Sequence, residues 1–388
     1  MNILLKKLRK CSITFLISPN QEKDGNMSTL FEIWNTIQAQ LFPELEKELD
    51  PLSEKEREFV QIVCLLDLPC HMKEFRWHGF GRKKKSRINM AKAFVAKSVY
   101  KFETTDMLIE YLKKCKSIRR LCGWEFSWQI PSKATFSRGF AEFATHSLPD
   151  KIHEAMVIKH CGQKLAGHLS RDATAIEARE KPVKTEAVPT PKGKPGRPRK
   201  DQIPSPKPPK RVELQVTRSL EDNLKDLPSH CNVGTKKNSK GYKETWIGYK
   251  LHLDCIDGDI PISAILSSAS LHDSQAAIPL AQMSSKRVTN LYDLMDAAYD
   301  SPEIHSFSKS LDHVPIIDNN PRRGEKILMD PATKSRFAER SSSERVNSNL
   351  KDNYGGRNIR VKGASKVMTH LMFGILSITA MQIFRLLL

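Results

Sequence analysis

Three carboxylates in this 388-residue chain stand where the local sequence could deliver them to a metal ion: Asp172, Asp296 and Glu344. The segment His168-Leu-Ser-Arg-Asp172-Ala-Thr174 sets an acid after a short apolar run, and Leu291-Tyr-Asp-Leu-Met-Asp296 does the same. An acid at the end of such a run leaves a strand at the edge of its sheet, where carboxylates from neighbouring strands can converge. Asp300 is an alternative to Asp296. Glu344 belongs instead to a helical pattern from about Ser335 to Lys351. At about 100° per residue, Phe337, Arg340, Glu344 and Lys351 fall in one stripe about 60° wide, while Val346 and Leu350 face the other way. The plainer alternative is a surface helix with an Arg340–Glu344 pair, worth a few tenths of a kcal/mol. His252 and His272 read as strand-end or loop histidines, and Trp124 and Trp128 as core residues.

The elements that must position these acids follow an order. A strand is expected over Leu165–Thr174, then a hairpin from Trp246–Leu253 and Ile260–Leu266 around Asp257-Gly258-Asp259. A helix (Ser274–Met283), a strand (Asn290–Met295), a helix (Pro302–Leu311), a strand (Val314–Ile317) and the Ser335–Lys351 helix complete it. A meander followed by alternating β and α is the order of an α/β, ribonuclease H-like fold, a mixed sheet with flanking helices. Upstream, residues 27–160 carry helical periodicity, as in Phe59, Val60, Val63, Cys64 and Leu66, and form a mainly helical domain. Residues 161–388 form the α/β domain, interrupted by a basic, Pro-rich tether at 181–245.

The tether is a matter of composition. Residues 181–212 hold ten Lys or Arg, two acids and nine of the 22 prolines, which cannot bury a core. Within it, Lys194-Pro195-Gly196-Arg197-Pro198-Arg199-Lys200 looks like an AT-hook, in which Arg197 would enter the minor groove of A·T tracts; a chance product of a basic linker is the alternative. The formal charge of +19 and pI near 9.5 point to a polyanionic partner, nucleic acid before an anionic membrane. The Arg82, Lys83, Lys84, Lys85, Arg87 cluster and the group at Lys113, Lys114, Lys116, Arg119 and Arg120 are either DNA-backbone contacts or solvated helix faces. Eight scattered cysteines, without a CxxC pair or zinc spacing, suggest neither a disulfide scaffold nor a zinc ribbon. Residues 1–26 read as an upstream extension or mis-assigned start, because Met27 opens a better helical pattern and the short apolar run lacks a signal-peptide form. The apolar stretch Val367–Leu388 is long enough for a membrane span but reads as a buried terminal helix on the sheet.

Together these motifs resemble bacterial insertion-sequence transposases of the DDE class. Phe337-x2-Arg340-x3-Glu344-x6-Lys351 is similar to their Tyr-x2-Arg-x3-Glu-x6-Lys signature, and Asp296-Ala-Ala-Tyr299 to the motif around their second aspartate. His168–Lys181, Gly248-Tyr249-Lys250-Leu251-His252 and His272-Asp273-Ser274 resemble further segments of the same domain. The resemblance implies that Asp172, Asp296 and Glu344 are catalytic and bind two Mg²⁺ ions, with Mn²⁺ as a substitute. It further implies that Arg340 and Lys351 hold phosphates. The basic cluster and the Gly-Arg-Pro segment, read on their own composition, add Lys83, Lys84, Lys85 and Arg197 as candidate DNA contacts. The expected partners are double-stranded DNA, both terminal inverted repeats and target, and a second copy in a synaptic homodimer; the helical domain would read the ends. A cytoplasmic, nucleoid-associated location follows, with no membrane partner. Phe337 departs from the signature Tyr and lacks its hydroxyl. The roughly 48-residue interval from Asp296 to Glu344 is too short for the β-rich insertion of some relatives, so a hairpin intermediate is not expected. A catalytically silent DNA-binding descendant and a metal nuclease with another task are the alternatives.

Overall fold

The computed structural model describes residues 26–183, 209–237, 240–321, 325 and 327–387. Most of the expected extension and the Gly-Arg-Pro segment with Arg197 lie outside these. Among the described residues eight α-helices come first: α1 (Asn26–Thr36), α2 (Phe42–Leu49), α3 (Glu54–Leu65), α4 (Arg87–Val99), α5 (Thr105–Lys114), α6 (Lys116–Cys122), α7 (Lys133–Thr145) and α8 (Leu148–Cys161). Their starts carry local signals. Ser53 and Glu56 form a reciprocal capping box on α3, and the Ser86 and Thr104 side chains accept the first free N–H groups of α4 and α5.

The α/β part then runs β1 (Leu165–Glu177), α9 (Arg211–Gln215), α10 (Leu220–Asp226), β2 (Asn232–Lys237), β3 (Lys243–Ile256), β4 (Ile260–Ser268) and α11 (Ser274–Ser284). It continues through β5 (Thr289–Met295), α12 (Pro302–Ser310), β6 (Val314–Ile317), α13 (Pro331–Ala338), α14 (Ser341–Asn353) and α15 (Ala364–Arg385). The sheet is mixed. β3 pairs antiparallel with β2, β4 and β1; β1 pairs parallel with β5, and β5 parallel with β6. The β3–β4 turn uses Asp257-Gly258-Asp259 as expected, with positive φ at Gly258 (78°) and Asp259 (57°). At Gly248, where β3 meets β1, φ is +154° and a Cβ would lie 2.1 Å from the Ile176 carbonyl oxygen, so only glycine fits.

Three expectations are corrected. The tether is shorter than 181–245, because α9, α10 and β2 lie inside that interval. Val212 packs with Ala277, Ile278, Tyr299 and Phe307, and Leu227 with Ile265, Leu271 and Leu280, which gives the second half of the interval cores to join. The single Ser335–Lys351 helix is two helices. Around Glu339 and Arg340 the chain tightens to i→i−3 bonds (Arg340 N–H to Phe337, Ser342 N–H to Glu339, Ser343 N–H to Arg340), and Ser170 Oγ of β1 lies 2.7 Å from the Arg340 carbonyl oxygen. Trp128 is not core: it is 77% exposed, with its ring stacked on Phe126, whereas Trp124 is buried.

The helical and α/β parts share one core. α15 is interior, and Phe373, Leu376, Ile383 and Phe384 join a cluster with Leu30, Phe94, Phe136 and Ile152 from the helical part and Leu169 and Ile262 from the sheet. Of its apolar window, 83% is buried, as expected for a core helix.

The register of β1 is set by charge. Arg171 pairs with Asp254 across the β1–β3 ladder, bidentate at 2.8 and 2.7 Å, both residues essentially without solvent contact; Ser284 Oγ donates to Asp254 at 2.7 Å. Such a pair is weak evidence of net stability, but breaking it strands a charge in the interior. Arg171→Met is therefore expected to cost about 3–5 kcal/mol in urea unfolding, and Arg171→Met with Asp254→Leu to recover most of that loss.

Candidate active site

Successive strand residues face opposite sides of a sheet, so a buried Arg171 sends Asp172 to the other face, towards α14. There the two elements meet in a polar ladder. Ser343 Oγ lies 2.7 Å from Ser170 Oγ, Asn347 Nδ2 donates to Asp172 Oδ2 at 3.1 Å, and Lys351 Nζ donates to Thr174 Oγ1. The rungs recur every four residues on the helix and every two on the strand, about 6.0 Å against about 6.6 Å, so the two repeats match over this length. Val346 and Leu350 of α14 are buried in the core behind the ladder.

The second aspartate arrives by register. β1 and β5 run parallel, with Arg171 opposite Met295 as the last pair, so Asp172 and Asp296 are the next residues on strands about 4.8 Å apart. Asp296 Oδ1 accepts the Ala298 N–H at 2.9 Å and caps the short turn that ends β5. Glu344 stands one residue beyond the Ser343 rung. Its side chain is 53% exposed and pairs with Arg340, whose guanidinium also lies over the Phe337 ring, 5.6 Å from its centroid.

The charges of Asp296 and Glu344 reach Asp172. Burial pushes the Asp172 carboxyl up to about 6, and the charges of Asp296 and Glu344 push it the same way, against the Ala173 N–H and Arg340. Burial also raises Asp296, with Asp273 adding to the rise and Arg340 and His272 opposing it. Among the described residues no three His, Cys, Asp or Glu side chains are grouped tightly enough to hold a metal as they stand. Asp172 is held by Asn347, Asp296 by its own turn and Glu344 by Arg340. The donor chemistry still fits a hard divalent cation, since three carboxylates share one field in which ionisation of the first is disfavoured.

Other expected residues fall as follows. Asp300 is engaged elsewhere, 3.1 Å from His305 Nε2 and accepting the Asn320 N–H. His252 is fully buried against Ser267 Oγ, 2.8 Å away, while His272 lies at the surface near Asp296. Lys83 and Lys85 are exposed on the loop before α4, and Lys84 pairs with Glu142 of α7 at 2.7 Å. The same loop carries Phe80, 92% exposed. In the second basic group, Arg119 donates to the Leu112 and Lys113 carbonyls and Arg120 pairs with Glu48 and Glu125, a structural rather than solvated role. Arg197 lies outside the described residues. Sequence reasoning missed Asn347, Ser343 and Ser170, whose only signal is a polar residue every fourth position beside Glu344.

Residues 168–380 match the family model described as the transposase DDE domain, and residues 47–142 match a second described as a transposase domain (DUF772). The chain belongs to the insertion-sequence DDE transposases. No curated protein and no solved structure matches it.

The raised pKa of Asp172 has a stability consequence. The folded state holds this proton more tightly than an unfolded carboxyl of ordinary pKa 3.8, so stability is lost as pH rises from about 4 through 6. Asp172→Asn is expected to be more stable than the wild type at pH 7, by on the order of 1–2 kcal/mol after solvent screening, with the gap closing below about pH 4. Thermal unfolding with Mn²⁺ is expected to raise the wild-type melting temperature and leave Asp172→Asn unmoved.

Proposed function

We propose that this transposase cuts the ends of its element and joins them to target DNA by in-line phosphodiester displacement, at a ribonuclease H-like site formed by Asp172, Asp296 and Glu344. The observation that carries this reading is the register that brings Asp172 and Asp296 to the same level on adjacent parallel strands, with Glu344 in the field of Asp172. Two divalent ions, Mg²⁺ or its substitute Mn²⁺, would be held by these carboxylates and supply activation of the attacking oxygen and neutralisation of the leaving one.

The chain's own residues provide the rest. The carboxylates act as ligands, not proton acceptors, and their mutual repulsion and burial are relieved by cations. Glu344 must leave Arg340 to join them. That exposed i,i+4 pair is worth a few tenths of a kcal/mol, so its release costs little. Arg340 is then free to take a phosphate in a bidentate fork, positioned by the Phe337 ring beneath it, and Lys351, about three turns along α14, offers a point charge. The missing Tyr hydroxyl removes one phosphate hydrogen bond but not this support. Lys83, Lys84 and Lys85, with exposed Phe80 beside them, suit duplex contact by the helical part at the inverted repeats, and Arg197 suits the minor groove. Two copies would pair two ends in a synaptic homodimer.

Mg²⁺-dependent cutting of DNA bearing the element's ends is expected to fall at least about 1,000-fold in each of Asp172→Ala, Asp296→Ala and Glu344→Ala, with duplex affinity retained. Retained cutting in all three would remove the site. Binding without any cutting in the wild type would favour the silent descendant, and cutting without joining would favour a nuclease.

A further inference from the structure

A cavity of about 680 Å³ opens where the helical part meets the far end of α14, between α4, α7, the chain after α14 and the start of α15. Six cations line it: Lys97, Lys133, Arg179, Arg360, Lys362 and Lys366. Two acids also line it, but each is engaged at the rim, Glu103 accepting from Arg360 at 3.1 Å and Asp106 from Lys133. The lining therefore keeps a net charge of about +4 (six cations less two acids), because burial holds the only histidine there, His370, neutral at pH 7.

Five of the cations are at the rim; Lys97 is not. It projects from α4 and is 9% exposed, and its ammonium, open to the cavity, pairs with no carboxylate among the described residues. A buried ammonium normally has a carboxylate partner, because an unpaired one forfeits its hydration without compensation. Burial and the nearby Arg360 lower its pKa to about 8, and no neighbouring acid counters them. A side chain in this state lacks an anion, and the funnel of exposed cations above it would draw one in.

We propose that this cavity is a phosphate-group site, with Lys97 at its base and Arg360, Lys362 and Lys366 at its mouth. A compact, multiply acceptor-bearing anion suits several converging lysines and a guanidinium better than a single carboxylate does. The phosphate could belong to a nucleic-acid strand or to a free ion. The strand source has support from position: Gly355, on the cavity wall, follows the Asn347 rung by eight residues, about 12 Å along the line of α14, with Lys351 between them. That source rests on the transposase reading; the phosphate site itself does not.

The test uses the full chain with inorganic phosphate, against chloride at matched ionic strength. Phosphate is expected to raise the wild-type melting temperature saturably. Lys97→Met is expected to melt higher than the wild type without phosphate, since it removes a buried charge, and to show no phosphate response; Arg360→Gln, at an exposed position, is expected to weaken phosphate binding several-fold. A wild type that responds to phosphate as to chloride, or a Lys97→Met chain that responds as the wild type does, overturns the site. A salt titration on a random-sequence duplex separates the sources. A salt slope about one unit shallower in Lys97→Met assigns the cavity to a strand phosphate, and unchanged duplex binding assigns it to the free ion, both with the site upheld. Carboxylate variants that still cut would sink the catalytic reading and leave this result untouched.

Discussion

The buried Arg171–Asp254 pair is the constraint on which the acidic edge depends. Side chains alternate along a strand, so a slip of one residue in β1 would bring Asp172 into the interior and Arg171 to the surface facing α14. Hydrophobic pattern alone resists such a slip weakly here, because the stretch from Ser170 to Thr174 is mostly polar. A bidentate, solvent-excluded ion pair with Ser284 as a further donor resists it strongly, since any other register leaves two charges unpaired in the core. The parallel β1–β5 ladder carries the same register to Asp296.

On the opposite face the matched repeats of α14 and β1 do a second job. Their three polar rungs orient the helix so that Val346 and Leu350 enter the core while Glu344 stays at the solvent edge. Burial near this edge makes the two aspartates reluctant anions, and Arg340 shields the third acid. The result is an arrangement that is electrostatically unfavourable by itself and is improved by cations, whether metal ions at the carboxylates or, for Arg340, a phosphate in place of Glu344.

Much of this was legible in the sequence where short-range rules apply. Asp257-Gly258-Asp259 announced its hairpin through residues that accept positive φ, and the apolar run ending at Asp296 announced the end of β5, whereas Asp172 lies inside β1, which continues to Glu177. The break between α13 and α14 was not legible, because the polar and apolar stripes run through it without interruption and the Ser170 contact to the Arg340 carbonyl comes from some 170 residues upstream. The tether was overextended because proline and lysine content masks how few apolar residues, such as Val212 and Leu227, are needed to dock a short helix on an existing core. Arg171 and Asp254 look like two ordinary surface charges until β3 pairs them. Lys97 likewise sits in a run that reads as a plain amphipathic helix, and only the packing of α15 over α4 reveals that it is interior.

The central claim, that the β1–β5 register and α14 together make a cation site from Asp172, Asp296 and Glu344, is tested most directly by anomalous diffraction from crystals grown with Mn²⁺. A manganese peak is expected beside the Asp172 and Asp296 carboxylates, with Glu344 turned away from Arg340 to join them. Manganese bound elsewhere, with Asp172 still held only by Asn347 and Glu344 still on Arg340, would contradict it.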